Sequence, residues 1–176
     1  MNLRMAILGS ALLVGLVAYR APHAAEENTD STQLPDEEKV FLDAVARGDK
    51  SEMELSKLAL SKSHTPAVRV LAQQMLSDHN RNYADLQSLC EKKKYAIAPE
   101  LDASHRAILR KLQAAASDDA FDRAYLDAMN ADHGNMAVLL DRTANNSNDA
   151  AIKQFAGDTL LTEKKHGQSA RDMAEK

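Results

Sequence analysis

Cysteine, glycine, proline and aromatic residues are all scarce in this chain of 176 residues. It has one Cys, no Trp, 6 Gly, 4 Pro and only 4% aromatic residues. A single Cys excludes an internal disulfide, and we expect Cys90 to be a small, partly buried residue near a helix end. Few glycines and prolines argue against strands and tight turns. Because 44% of the residues are still hydrophobic, the composition predicts one all-α domain with a core of Ala, Leu and Met.

The chain also lacks an apolar run that would cross a bilayer comfortably. Residues 5–18 are uncharged and rich in apolar side chains, but a spanning helix needs about 20 such residues. We therefore interpret residues 1–25 as a signal peptide, with an N-terminal anchor through residues 5–19 as the alternative. This predicts a periplasmic or secreted protein. A flexible leader over residues 26–35 and a helical bundle domain over residues 36–174 follow.

Positive charge is in deficit in the predicted mature chain. Without residues 1–25, 20 Lys and Arg remain against 26 Asp and Glu, a net charge of −6. Surfaces that bind nucleic acid need clustered positive charge, so we expect no nucleic-acid partner. Gly-rich loops and strand-to-helix elbows are missing too. The sequence therefore predicts no catalytic residues and no clear small-molecule substrate, and it disfavours an enzyme.

One short pattern occurs twice in the chain. Residues 75–79 and 129–133 share the sequence Met-x-x-Asp-His, at an offset of 54 residues. Each copy lies in a long stretch with helical apolar spacing, and its His falls on the apolar side. We expect the Asp before each His to be an outer partner of a histidine or a surface group, because neighbouring residues on a helix point about 100° apart. The repeat predicts that His79 and His133 share one site.

Apolar spacing and end signals predict four long helices and one short helix. We expect the long helices over residues 36–62, 66–93, 119–145 and 149–172, and the short one over about 102–116. The segment before the third long helix exceeds a tight turn, so it can carry the chain back along the bundle. The second and third long helices would then be parallel. This predicts a ferritin-like four-helix bundle with a long crossover.

In that topology five polar core residues come to similar heights. His79 and His133 lie about 13 and 14 residues into their helices, and Glu52 and Glu163 lie about 10 and 9 residues before the ends of theirs. His166 follows Glu163 on the same helix face and lies somewhat further from the height shared by the other four residues. We predict these five residues as metal ligands. The other histidines, His23, His64 and His105, are predicted to be solvated.

Inward-facing His and Glu residues of helix bundles are typical of metal sites. A complete di-iron set is disfavoured, because Leu76 and Asn130 stand where Glu-x-x-His motifs would have Glu. A mononuclear site is left, for which zinc or iron suits imidazole and carboxylate. Copper(I) would suit the nearby Met75, Met129 and Met136, although methionines commonly fill cores poor in aromatic residues.

Two functions stay open at this point. The first is a metal-binding bundle linked to metal or stress handling, with iron, zinc or copper as the bound ion. The second is a non-catalytic structural or interaction module of the cell envelope. Its buried His and Glu would form a polar network that fixes helix register, and its partner would be an envelope protein. The sequence does not predict the oligomeric state.

Several motifs occur in a fixed order along the chain. They are Phe41-Leu42, Glu52-Met53-Glu54-Leu55, Val68-Arg69 with Met75 and Asp78-His79, Phe121-Asp122-Arg123-Ala124-Tyr125, His133, and Phe155-Ala156 with Thr159-Leu160 and His166. From Phe41 to about Met173 the chain thereby resembles the exported bacterial family named domain of unknown function 4142, a ferritin-like group. The resemblance implies a four-helix bundle in the cell envelope, no established activity, and polar core positions at Glu52, His79, His133 and His166.

The chain departs from that family pattern in its last long helix. Leu160-Leu161 stands where similar members usually carry Leu-Pro, and Glu163 replaces a usual apolar residue. The comparison implies a straighter helix and a more acidic site than in relatives.

Overall fold

The computed structural model describes residues 34–98 and 100–175, and its regular structure there is entirely helical. The helices are α1 (Asp36–Lys62), α2 (Pro66–Lys92), α3 (Ala103–Gln113), α4 (Asp118–Asn146) and α5 (Ala150–Ala174). The all-α prediction is confirmed, and no end of a long helix differs from its expected position by more than two residues. The predicted signal peptide or anchor and most of the leader lie outside the described residues and stay predictions. None of the described helices is both long and apolar enough to cross a membrane.

Short-range signals explain where the helices begin. Asp102, Ser117 and Asp149 each accept hydrogen bonds from backbone N–H groups in the first turn of the helix that follows. Such caps satisfy donors that have no partner within the helix. Thr65 precedes α2 as expected, but its side chain makes no capping bond. Pro66, at the first position of α2, has no N–H to satisfy there.

Two apolar clusters fill the two ends of the bundle and establish its topology. One cluster joins the end of α1, the starts of α2 and α4, and the end of α5, and it includes Leu55, Leu71, Tyr125 and Ala170. The other joins the opposite ends of the same helices, and it includes Leu42, Leu86, Leu140 and Ile152. Therefore α2 and α4 run parallel to each other and antiparallel to α1 and α5. The connection between them is the expected long crossover, and it contains α3. The ferritin-like name for this topology stays a prediction.

A layer of buried polar side chains separates the two clusters. Each of its members is at most 5% exposed; they are Asp49, Glu52, His79, His133, Glu163 and His166. Burying ionisable groups is costly unless they are paired or bind an ion. The layer is therefore the part of the bundle that packing alone does not explain.

Candidate metal centre

Three histidines from three helices meet in the polar layer. His79 of α2, His133 of α4 and His166 of α5 each offer a ring nitrogen, and these nitrogens lie within 4.8 Å of one another. The ring centroids are 5.3 to 5.5 Å apart. Both histidines of the repeated pattern are thus brought together. His166 lies at the same level as these two, closer to them than the sequence alone predicts.

Carboxylates hold two of the rings from outside. The Nδ1 atom of His79 lies 2.8 Å from Asp49 Oδ1, and the Nε2 atom of His166 lies 3.0 Å from Asp78 Oδ2. A carboxylate accepts hydrogen bonds, so these ring nitrogens carry the protons. In the neutral rings the other nitrogens, Nε2 of His79 and Nδ1 of His166, then have lone pairs. Asp78 is therefore the outer partner of a histidine, but of His166 rather than of its sequence neighbour.

The third ring is held by its own helix. The Nδ1 atom of His133 donates to the carbonyl oxygen of Met129 at 2.7 Å, which leaves the lone pair on Nε2. Gly167 allows α5 to approach this ring closely, since a Cβ atom there would lie 3.2 Å from the Cβ atom of His133. Each ring thus donates a hydrogen bond from one nitrogen, and in its neutral form it keeps a lone pair on the other.

The inward nitrogens of His133 and His166 face each other without a proton between them. His133 Nε2 is 3.3 Å from His166 Nδ1, and with these tautomers that contact joins two lone pairs. Lone pairs repel unless a cation lies between them. Metal-bound histidines show the same arrangement, in which the outer N–H is bonded to a carboxylate or a carbonyl oxygen. The three rings can therefore hold a cation.

The two predicted glutamates lie at different edges of the His133 ring. Glu163 Oε2 is 3.8 Å from Nε2, the inward nitrogen, whereas Glu52 Oε1 is 3.7 Å from Nδ1, the nitrogen that already donates to Met129. Glu163 therefore faces the three-histidine centre, which we define as His79, His133 and His166. Glu52 lies beside that centre, on its α1 side.

Burial and neighbouring charges shift the pKa values of this layer in opposite directions. Burial disfavours the charge on His79, but the hydrogen bond to Asp49 and the charges of Glu52 and Glu163 raise its pKa to about 9. Burial and the nearby His79 charge lower the pKa of His133 to about 3. Burial raises the pKa of Glu163 to about 7. At neutral pH the metal-free layer therefore contains one imidazolium, at His79, among carboxylates.

Asp49 is a member of the layer that sequence reasoning missed. It lies three residues before Glu52, which places both on one face of α1. That spacing could have indicated that Asp49 belongs to the polar layer. The amide of Asn82 donates to both of its oxygens at 3.1 and 2.9 Å, and Thr159 donates to Asn82 at 2.8 Å. These bonds fix the carboxylate that orients His79.

The methionines and the remaining histidines are placed separately. Met75 and Met129 belong to an apolar cluster, and Met75 accepts a hydrogen bond from the Tyr125 hydroxyl at 3.4 Å, so the core-packing alternative describes them better than copper(I) ligation.

His64 is exposed as expected. His105 is partly exposed, and its Nδ1 atom lies 2.9 Å from Oδ1 of the helix cap Asp102. His23 lies outside the described residues. Cys90 is buried, as expected.

Two hollows make the centre reachable from the surface. One, of about 300 Å³, lies between α1, α4 and the start of α3. The other, of about 470 Å³, lies between α2 and α5. Both border on His79 and Glu163. A small ion can therefore approach the buried histidines from outside.

Comparisons with known proteins identify a family and a fold. The family model described as a domain of unknown function, DUF4142, matches residues 23–173. No protein of curated function matches the chain in sequence. Among solved structures, the chain is similar to a DUF305 fragment from Deinococcus radiodurans, with 12% identity, a TM-score of 0.72, and coverage of 81% of this chain and 98% of that chain. It is also similar to CopM in the Cu(II)-bound form, with 14% identity, a TM-score of 0.68, and coverage of 78% and 95%. The Ag-bound form of CopM obtained by co-crystallization gives 14% identity, a TM-score of 0.65 and the same coverage. At these identities the likeness shows a common helical fold.

Proposed function

We propose that this chain, which belongs to the DUF4142 family, binds one transition-metal ion at the three-histidine centre. One observation carries the proposal: a ring nitrogen from each of three buried histidines lies within 4.8 Å of the other two. Each ring is oriented by an oxygen acceptor on its outer nitrogen. Glu163 is the carboxylate positioned to complete the ligand set.

The donor set favours copper(II) or zinc. Imidazole suits both metals, whereas copper(I) prefers thioether or thiolate sulfur, and the sulfur of Met75 is instead bonded to Tyr125 in the core. Di-iron sites of helix bundles take more carboxylate ligands than the single one that faces these nitrogens. CopM, which shares the fold, is described in Cu(II)-, Cu(I)- and Ag-bound forms, and this supports copper without deciding its oxidation state. The role that follows is metal handling in the cell envelope, where the predicted signal peptide would direct the chain.

Elemental analysis tests this proposal directly. The chain from about Glu26, purified without a histidine tag, should retain about one copper or zinc ion after loading and desalting. The double variant His133→Ala/His166→Ala should retain none. His64→Ala is the matched control, because His64 is exposed and far from the polar layer, and it should bind as the parent does. Equal metal content in the double variant and the control would refute the proposal.

The second candidate is a structural module in which the polar layer fixes helix register. It is favoured by the pairing of His79 with Asp49, which compensates a buried imidazolium without any metal. In that case His133→Ala/His166→Ala lowers the melting temperature, but the parent protein holds no metal above background after loading. The parent's metal content therefore distinguishes the two candidates.

A further inference from the structure

Glu52 is the member of the polar layer whose burial the three-histidine centre does not explain. The residue is 4% exposed, and neither of its carboxylate oxygens accepts a hydrogen bond from any described residue. Its Oε1 atom lies 3.7 Å from Nδ1 of His133, but the proton on that nitrogen is already donated to Met129. A buried carboxylate without a donor is unfavourable unless another positive group, a proton or an ion, accompanies it.

Glu52 borders the hollow of about 300 Å³ between α1, α4 and the start of α3. Asp132 of α4 lines the same space, and its Oδ2 atom is also buried without a partner among the described residues. Asp49 and Glu163 contribute two more carboxylates to the wall. We call this space the carboxylate chamber.

The nitrogen donors that line the carboxylate chamber give no hydrogen bond to either oxygen of Glu52 or to Oδ2 of Asp132. His79 donates to Asp49, and His105, at the outer rim, is bonded to Asp102. Within the described part of the chain, the ion-pair contact of Glu52 is with His133, and the Arg47 side chain in the wall pairs with neither carboxylate. The chamber thus combines several acidic side chains with acceptor atoms that have no donor among the described residues.

We infer that the carboxylate chamber is a second cation site, distinct from the three-histidine centre, and that it binds a hard divalent ion such as Mn²⁺ through Glu52 and Asp132. Hard ions take carboxylate and water oxygens, and they usually keep several waters. A water occupies about 30 Å³ in the liquid, so the chamber has room for a partly hydrated ion. The inference does not require the histidines to bind metal.

Binding of Mn²⁺ can be followed by electron paramagnetic resonance, because the sharp six-line signal of free aqueous Mn²⁺ disappears on binding. The metal-free protein, first given one equivalent of zinc, should bind about one Mn²⁺ per chain. Glu52→Gln/Asp132→Asn should weaken this binding by about tenfold or more, since it removes both charged ligands. The matched control is Glu54→Gln/Asp127→Asn, which makes the same changes at exposed positions of the same helices. It should bind as the parent does.

His166→Ala separates this inference from the proposed function. His166 contacts Asp78 and His133, not Glu52 or Asp132, so the variant should lose copper or zinc and keep Mn²⁺. Absence of Mn²⁺ binding by the parent would overturn the inference and mean that a proton accompanies Glu52. Equal Mn²⁺ affinity in the chamber variant and the control would also overturn it. Should the double variant not fold, Asp132→Asn alone, at a half-buried position, provides the same comparison.

Discussion

The metal-free protein should lose stability as the pH rises from 7.0 to 8.5. The pKa of His79 is about 9 in the folded protein and about 6.5 in an unfolded chain. Between these values the folded state holds a proton that the unfolded chain has released. This contribution is fully present below pH 6.5 and is lost as the pH rises through 9. One proton corresponds to about 1.4 kcal/mol per pH unit, so the free energy of unfolding should fall by about 2 kcal/mol over this range.

The other titratable groups of the polar layer do not reverse the expected fall of the free energy of unfolding with rising pH. Burial raises the pKa of Glu52 well above its ordinary value, which makes stability fall with rising pH in the same direction. Glu163, with a pKa of about 7, also makes the free energy of unfolding fall as the pH rises, mainly near pH 7. The pKa values of His133 and His166 are lowered, chiefly by burial, so these rings are largely neutral above pH 7 in both states.

Urea denaturation with a chelator present, followed by circular dichroism at pH 7.0, 7.5, 8.0 and 8.5, measures this slope. His79→Gln is the control, because it keeps a polar side chain but removes the titrating ring, and its slope should be at most about half that of the parent. The comparison uses slopes, so a general loss of stability in the variant does not matter. If the free energy of unfolding of the parent stayed constant or rose over this range, the conclusion that His79 is buried, charged and paired with Asp49 would be refuted.

Two further predictions concern the apolar core and the outer partner of a histidine. Leu140→Ala, at a fully buried position, should lower the free energy of unfolding by about 2–5 kcal/mol in urea denaturation. The control Leu161→Ala, at a side chain 63% exposed, should change it by less than about 0.5 kcal/mol. Similar losses in the two variants would contradict the described core. Asp78→Asn should weaken metal binding by about 10- to 100-fold in a chelator competition, because Asp78 accepts the hydrogen bond that orients His166. Asp85→Asn, at an exposed position of the same helix, should leave the affinity unchanged, and equal affinities in both variants would show that Asp78 has no such role.

The fold could be predicted from sequence because its signals are local. Pro66 and the capping residues Ser117 and Asp149 mark helix starts within one turn of chain, and apolar spacing marks the buried face over the whole length. The parallel arrangement of α2 and α4 followed from the length of the crossover alone. Each of these signals depends on neighbours in sequence, which is why the expected ends of the long helices are within two residues of the observed ones.

The site was only partly predictable because it depends on contacts between helices. The repeated pattern identifies His79 and His133, and helical spacing adds Glu163 and His166. Asp49 could not be assigned in this way, since a carboxylate near the edge of an apolar stripe is equally compatible with a solvent-facing position. Its role depends on the ring of His79, which belongs to another helix and lies 30 residues away in the chain.

The position of Glu52 shows a further limit of prediction from sequence, which comes from the shape of the imidazole ring. Helical spacing can place a histidine ring at a given height, but it does not say which ring nitrogen faces which neighbour. Glu52 and Glu163 were both among the predicted metal ligands, and they lie beside different nitrogens of the His133 ring. One edge of the ring faces the Nδ1 atom of His166, and the other edge faces the carboxyl group of Glu52, which has no hydrogen-bond donor among the described residues. The same polar layer therefore offers nitrogen ligands on one side and oxygen ligands on the other, and the two sides should select different metal ions.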